Sequence, residues 1–503
     1  MKRLGILLLI GLAGCAAAMA QEAPRWMSLD DTLRVEHLLS LAWQNPVIKQ
    51  FSQASGESHA GGGFVISDED SGSPLDIQRG DYSRMWHLAA DTHIKHNAST
   101  LWGFARYENG FTDGITWNET SDIDIIYPVV LADSVRGASV KTERYSFGGG
   151  YAQGNGRFYW GAYIDYTAGL HYRRVDPRPR NITACLNLSA GVGMRAVNSH
   201  ILAVSLNFRK YKQTNNVAFY SELGHDKIFH LTGLTNDYGR FAGTGEASYY
   251  NGYRWGVTVN LQPERARGLS MCVNASRFSF DNILTALNKL PLAHITHNSI
   301  DGELGWLQRN WGVRAVVGAS RRVVTENVFG DAAAMVYPQI GSNDMYHENR
   351  FNAGLDAMWS KLWSASLMTV LRPFASYHHV NEIYADPRGR RLLNTVEWGA
   401  RLGSQWHFGR FMPGLQLGVM LDHPIDSQWF VAGVKDELKG LLRAKQAGYD
   451  YLSHFHSHGQ AVLSLQVAVN KRQAIRAECG ATMGRYHGGH KTIDAFTSIN
   501  YVF

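Results

Sequence analysis

The chain has 503 residues and a formal net charge of +6, with 45% hydrophobic and 12% aromatic residues, 51 glycines and only 13 prolines. No stretch after the first twenty residues reaches the ~18 apolar residues that a membrane-spanning helix needs, which excludes a helical membrane protein. The mild positive charge gives no reason to expect nucleic acid as a partner. Cys185, Cys272 and Cys479 are too few and too dispersed for a disulfide framework.

The N-terminus predicts an exported protein whose residues 1–20 are a signal peptide. A basic n-region (Lys2 and Arg3) precedes an apolar h-region (residues 4–12) and a small-residue cleavage site (residues 18–20). A second interpretation stays open, because the sequence Leu-Ala-Gly-Cys ending at Cys15 matches a lipobox. An integral barrel needs no lipid anchor, so cleavage after residue 20 is favoured.

Residues 21–46 are predicted to form a separate N-terminal segment with one short helix. Ser28 or Asp30 can cap a helix that runs to Gln44, and the Asn45-Pro46 pair ends it. The helix is too short and too charged to span a membrane. It either lies in the periplasm beneath the barrel turns or enters the barrel as a small plug.

Residues 47–503 alternate with a period of two and predict long β-strands. In residues 158–170 one face carries Phe158, Trp160 and other apolar side chains, while the opposite face carries glycine and polar groups. The same rule recurs in residues 182–192, 254–261, 351–359, 397–403 and 415–422. Starting near Val47, it predicts an all-β protein: a transmembrane antiparallel β-barrel of about 18 strands. Residues 241–262 are taken as one long strand.

Short and long links alternate between the predicted strands, and the long links set the orientation. The long links lie near residues 58–81, 109–141, 213–240, 326–347, 380–391 and 426–453. Outer-membrane barrels have short periplasmic turns and longer outside loops, so both termini are predicted to be periplasmic. Lipid and lipopolysaccharide are then the expected surroundings. Six tryptophans near strand ends predict interface girdles: Trp160, Trp255, Trp359, Trp363, Trp398 and Trp406.

Charged residues also occur on the predicted inner face of the barrel. They are Asp165, Arg195, Arg314, Asp356, Glu397, Arg401, Arg476 and Glu478. These groups must face water or pair across the lumen, because unpaired burial of a charge is costly. They either line a solute path or form a static network that fills the interior, and the sequence leaves both interpretations open.

The 21 histidines are the one unusual count, and several fall at predicted outside strand ends. His454, His456 and His458 share an inward face, and His487 lies on the next strand of the same hairpin. These four could bind a transition metal or a haem iron. Their spacing is not a specific motif, so ordinary polar residues at a membrane rim are the alternative. No other cofactor is predicted, and no catalytic set stands out, so we expect a protein that is not an enzyme.

The last ten residues read as the closing strand of an outer-membrane barrel. Apolar and mostly polar residues alternate along residues 494–503, and the chain stops on an aromatic residue. Tyr501 and Phe503 are the predicted assembly signal, and the barrel-assembly machinery is the corresponding partner.

Four features carry a resemblance to a family: the Ala20-Gln21 processing site, the helix ending in residues 43–46, the alternating strands, and the terminal residues 501–503. Together they resemble an uncharacterised outer-membrane barrel family of Bacteroidota whose members accompany TonB-dependent uptake systems. The resemblance implies a TonB-dependent receptor as a partner and supplies no functional residues. The Asn45-Pro46 pair is also similar to the hatch segment of long-chain fatty-acid transporters, although those barrels are smaller.

Three functions follow as hypotheses. The first is a transporter, or an accessory component, for nutrient uptake across the outer membrane. The second is a surface binding protein for metal or haem, acting through the histidine-bearing rim. The third is a subunit of a secretion or assembly machine, which needs a partner that the sequence does not name.

Overall fold

A computed structural model describes residues 41–51, 58–70, 74–135, 137–196, 199–222, 227–241, 247–264, 267–285, 287–332, 336–470 and 473–503. The predicted signal peptide lies outside these residues, and so does the predicted helix up to residue 40. Among the described residues, no helix has the length and apolar character needed to cross a membrane.

Eighteen strands form one closed antiparallel sheet, and three short strands form a second sheet inside it. The barrel strands are β1 (His59–Glu69), β2 (Tyr82–His96), β3 (Ser99–Asp113), β5 (Val140–Gly154), β6 (Phe158–Tyr172), β7 (Arg178–Arg195), β8 (His200–Ala218), β11 (Ala247–Pro263), β12 (Gly268–Leu284), β13 (Leu290–Leu307), β14 (Trp311–Phe329), β15 (Gln339–Ser364), β16 (Leu367–Tyr384), β17 (Gly389–Trp406), β18 (Phe411–Val431), β19 (His456–Ala468), β20 (Ala474–Arg485) and β21 (Lys491–Val502). The small sheet contains β4 (Val130–Ala132), β9 (Phe229–Gly233) and β10 (Asn236–Asp237).

The predicted all-β barrel of about 18 strands is confirmed. Each barrel strand pairs with its neighbour in the chain, β8 pairs with β11, and β1 pairs with β21 to close the ring. The segment predicted as one long strand is indeed continuous as β11 (Ala247–Pro263). All short turns lie at one end, the short-turn mouth, and the long links lie at the other, the long-loop mouth.

The predicted start of the barrel near Val47 is wrong. Residues 48–51 form a 3₁₀ turn, and the first strand instead covers residues 59–69, which were predicted as a loop. Glycines at positions 61–63 gave that segment a loop-like composition. The structure needs a glycine there, because a Cβ atom on Gly61 would collide with the side chain of Asn500 on β21.

The outer surface of the barrel is apolar, as a lipid-facing surface must be. Large hydrophobic side chains stand exposed on every part of the ring, for example Leu88, Ile164, Leu206, Leu355 and Leu463. A soluble protein would bury a continuous surface of this kind. Five of the six predicted girdle tryptophans are also exposed: Trp160, Trp255, Trp359, Trp363 and Trp398.

The seam between β1 and β21 ends at the C-terminal residue. The backbone N–H of Phe503 donates to the carbonyl of Ser58 at 2.8 Å, and the N–H of Ser58 donates to the carbonyl of Phe503 at 3.0 Å. The ring of Tyr501 stacks on that of Phe503, with centroids 5.8 Å apart. Both rings lie on the exposed outer face. The predicted assembly residues therefore lie where the barrel closes.

Deletion of Phe503 is expected to lower the yield of folded barrel several-fold. The deletion removes two backbone hydrogen bonds of the seam, each worth about 1 kcal/mol, and one ring of the outward pair. Heat-modifiable migration on gels measures the folded fraction. Phe408→Ala is the control, because Phe408 is another exposed phenylalanine in a short turn. Equal yields for the deletion and the control would contradict a role for the terminal residue.

The long-loop mouth is filled by parts of the loops that fold into the barrel. They include helix α1 (Ile123–Ile126), the small sheet and helix α2 (Lys439–Leu452). We call residues 114–135, 227–241 and 436–452 the loop insert. It packs on inner-wall side chains that include the fully buried Tyr211, Tyr250 and Tyr346. A second apolar cluster joins α2 to the small sheet through Leu438, Leu441 and Phe229.

Candidate functional site

The barrel wall holds the loop insert with charged side chains. Arg322 on β14 donates to two insert carbonyls, that of Tyr127 at 2.5 Å and that of Asp124 at 3.3 Å. The Tyr127 hydroxyl donates to Glu382 at 3.2 Å, and Arg391 donates to the same carboxylate at 2.7 Å. Arg322 thus binds carbonyl oxygens at the end of α1, where a helix attracts cations.

A buried ion pair holds the insert at a second point. Arg173 donates to the Glu119 carboxylate at 3.1 Å, and neither side chain has exposed surface. Asn181 and Asn215 donate to the backbone carbonyl of Glu119 at 3.0 and 2.5 Å. Burial raises the pKa of Glu119 to about 8; Arg173 opposes this shift, and the nearby Asp133 carboxylate adds to it. Both anchors thus tie the loop insert to charged side chains outside the insert.

The short-turn mouth holds residues 41–51, which we call the N-terminal insert. Its first two backbone N–H groups donate to the carboxylate of Glu303 on β13, each at 3.2 Å. The Asn45 side chain donates to that of Asn260 on β11 at 2.9 Å. The segment of residues 21–46 was predicted to lie either beneath the barrel or inside it. Its last residues, 41–46, lie inside the barrel.

The wall has a notch that fits this insert. Val47 is fully buried, and its methyl groups lie where Cβ atoms on Gly191 and Gly193 would come within 3.0–3.1 Å. A Cβ atom on Gly161 would likewise approach the backbone of Pro46 to 2.9 Å. Contacts this close leave no room for a larger residue. The three glycines of β6 and β7 thus make space for the chain inside the barrel.

A polar chamber, called the mid-lumen chamber, lies between the two inserts. Asn187 donates to Asp165 at 2.9 Å and accepts from Arg209 at 2.5 Å. Closer to the short-turn mouth, Arg314 contacts Asp356, and their side chains are 17% and 22% exposed. These charged groups are paired and still reach the solvent of the lumen. Three of the predicted inner-face charges, Asp165, Arg314 and Asp356, belong to this chamber.

Two other predicted residues lie closer to the barrel ends. Arg195 is half-exposed at the short-turn mouth, where it donates to Glu264 at 2.6 Å. Arg476 donates to Gln466 on the neighbouring strand at 3.0 Å. Both pair locally, and Arg195 forms part of the rim instead of the lumen wall.

The last three predicted residues lie on the inner wall of β17 and β20. Arg401 lies over the ring of Phe374, 4.7 Å from its centroid. Glu397 stands directly opposite Asp422 in the β17–β18 register, which brings two carboxylates together. Glu478 is buried. The structure therefore distributes the eight predicted residues around the lumen and does not bring them to one point.

The four predicted metal ligands fall into two groups. His456 and His458 are buried and face Asp422 on β18; the Nε2 atom of each lies 3.6 Å from Asp422 Oδ2. The ring of Tyr486 stacks on His456, with centroids 5.0 Å apart. The three ligand atoms lie within 4.8 Å of one another. Sequence reasoning missed Asp422: the alternation of residues 415–422 places it on the inner face, but its pairing with His456 follows from the strand register.

His454 and His487 form the other group, which is exposed and includes Asp450. Their rings stack at 4.0 Å with planes only 16° apart. The nitrogen lone pairs of stacked rings lie in nearly parallel planes and do not converge on one point. This pair is less suited to chelation than the buried group.

A closed antiparallel barrel with an apolar outer face and a polar lumen is the architecture of an outer-membrane β-barrel. The chain belongs to a family of unknown function, DUF6850, whose model matches residues 51–503. The predicted membership of an uncharacterised barrel family is confirmed at that level. No curated protein matches the sequence.

Three of the solved structures that are similar to this chain share about a tenth of its sequence. A bacterial polysaccharide outer membrane secretin is 10% identical, with 90% of this chain and 99% of that chain covered and a TM-score of 0.38. The copper transporter OprC is 10% identical, with coverages of 89% and 80% and a TM-score of 0.42. BauA, the ferric preacinetobactin receptor from Acinetobacter baumannii, is 9% identical, with coverages of 88% and 80% and a TM-score of 0.40.

Proposed function

We propose that the protein is a gated transport component of the outer membrane whose lumen is closed at rest by the two inserts. The observation that carries this proposal is the mid-lumen chamber, where charged groups such as Arg314 and Asp356 remain in contact with solvent. A barrel with a purely structural interior has no need of water-accessible charges between two packed ends.

The construction of the inserts supports gating. Both are segments of chain that combine apolar packing with polar anchors, such as Glu303 for the N-terminal insert and Arg322 for the loop insert. Polar anchors can exchange protein hydrogen bonds for hydrogen bonds to water at a modest net cost. Neither insert contributes a strand to the 18-stranded sheet, so release of an insert would leave the strand pairing of the barrel intact.

The proposal includes an orientation and a setting. The short-turn mouth, with the N-terminal insert and Phe503, faces the periplasm, and the loop insert faces the cell exterior. The solute is a small nutrient compatible with a chamber of mixed charge. A TonB-dependent receptor is the proposed partner, and lipopolysaccharide surrounds the loops. No catalytic step is part of the proposal.

Labelling of a cysteine in the chamber tests whether the inserts open in the intact protein. Ser189 points into the lumen beside Asn207, and Ser189→Cys changes one atom. In a background without the natural cysteines, cells carrying this variant should react slowly with a membrane-impermeant thiol reagent. Tyr220→Cys, at an exposed loop position, should react at once and serves as the reference.

Labelling of the denatured protein measures the total amount of thiol at position 189 and sets the value for complete reaction. A Ser189→Cys variant that reacts only after denaturation, while Tyr220→Cys reacts on cells, would show that the lumen stays sealed. That result would refute the gated transport component and leave a filled, structural barrel.

A further inference from the structure

The buried group of Asp422, His456 and His458 has the composition of a metal site. It offers two imidazole nitrogens and one carboxylate oxygen from two neighbouring strands, β18 and β19. The three side chains are almost fully buried, with only 4–6% of their surface exposed. Two imidazoles and a carboxylate whose ligand atoms converge within 4.8 Å are a donor set that a divalent transition-metal ion can bridge.

The hydrogen bonding of His456 fixes which of its nitrogens faces the carboxylate. Its Nδ1 atom lies 2.9 Å from the carbonyl oxygen of His454, and a carbonyl oxygen only accepts. Nδ1 therefore carries a proton, and Nε2 is the ring nitrogen that faces Asp422 Oδ2. Metal-ligating histidines commonly donate their other N–H to a backbone carbonyl in this way.

The distances fit an ion between the ligands better than direct hydrogen bonds. Each Nε2–Oδ2 separation is 3.6 Å, which is too long for a hydrogen bond. Ligands about 2.0–2.1 Å from a tetrahedral Zn²⁺ lie roughly 3.3 Å from one another.

We propose that Asp422, His456 and His458 bind a divalent first-row transition-metal ion, with one coordination position left for water. Two imidazoles and a carboxylate suit Zn²⁺ and its neighbours and not Ca²⁺ or Mg²⁺, which prefer all-oxygen sites. The near-complete burial leaves space for an ion and not for a haem ring. Binding of the ion needs neither insert to move, so this site can be tested apart from the proposed transport function.

The position of the ligands gives the ion a structural consequence. His456 is the first residue of β19, and the loop that carries α2 ends just before it. An ion that joins His456 to Asp422 would fix the end of this loop to the adjacent strand β18. Metal binding should therefore protect the α2 loop from proteolysis.

Zn²⁺ and Co²⁺ titrations of the full-length folded barrel test the proposal. After treatment with a chelator, the protein should bind one Zn²⁺ by calorimetry, and Co²⁺ should give a visible absorption band of a low-coordinate nitrogen–oxygen site. His458→Gln and Asp422→Asn should weaken binding at least ~100-fold, beyond the 10–100-fold typical of an outer-shell change. Heat-modifiable migration verifies that each variant is folded.

The matched control is the double variant His454→Ala/His487→Ala, which removes the exposed stacked pair and should keep the full Zn²⁺ affinity. Should a ligand variant fail to fold, the Co²⁺ spectrum and X-ray absorption of the wild-type protein still report two imidazoles and one carboxylate. Absence of Zn²⁺ and Co²⁺ binding by the wild-type protein would overturn the proposal and leave a proton-held ion pair. Binding lost in the double variant and kept in His458→Gln would also overturn it.

Discussion

Planar bilayers should show near silence for the intact protein and sustained conductance for a variant that combines Arg322→Ala with removal of residues 21–51. In the proposed function, the two inserts close the lumen in series, one at each mouth. Each single change leaves one mouth closed, so only the combination should conduct steadily.

The size of the effect follows from the contacts of Arg322. Its guanidinium makes two charge-assisted hydrogen bonds to carbonyls of the loop insert. Such bonds are each worth about 1.5–3 kcal/mol, and each ~1.4 kcal/mol is a factor of ten in an equilibrium. Loss of both should raise the population of the released loop insert by at least about 100-fold. Glu348 keeps an ion pair with Arg350 in this variant, so the wall itself stays neutralised.

Arg321→Ala is the control for the conductance measurement. Arg321 is the preceding residue on the same strand and points to the exposed outer face, away from the loop insert. It should leave the conductance of the truncated protein unchanged. A combined variant that conducts as little as the intact protein would mean that the lumen is filled independently of these anchors. That result would favour the surface-binding or assembly hypothesis over transport.

The barrel was predictable because lipid surrounds its outer face and water its inner face, so apolar and polar residues must alternate along each strand. Residues 158–170 and residues 415–422, among others, place apolar and polar side chains on opposite faces, and the structure gives these faces to lipid and lumen. The first strand escaped the same reasoning. Its glycines carry no pattern, and Gly61 is explained only by the neighbouring strand, where Asn500 needs the space.

The inserts could not be predicted, because they depend on contacts between distant parts of the chain. The burial of Ile126 against Tyr250 and Tyr346 joins a loop to strands that follow it by more than a hundred residues. The same limit applies to the histidine group. The alternation placed His456 and His458 on the inner face, but the barrel register was needed to set Asp422 opposite them.

Opening of the loop insert is expected to increase as the pH rises from about 5 to 8. In the closed insert Glu119 is buried beside Arg173, and its pKa is raised to about 8. An opened insert exposes the carboxyl to water, where its ordinary pKa applies. The closed form therefore holds a proton that the open form has lost, and this part of its stability falls as the pH rises through that window.

Conductance of the truncated protein at a series of pH values measures this effect. The fraction of time open should rise towards pH 8 in the protein with Glu119, and Glu119→Gln should remove most of the dependence. Glutamine keeps an oxygen that accepts from Arg173 and cannot ionise, so the packing of the insert is preserved. A pH dependence of equal size in Glu119→Gln would assign the titration to another group. A dependence of opposite sign would mean that the ion pair with Arg173 outweighs the burial of the carboxylate.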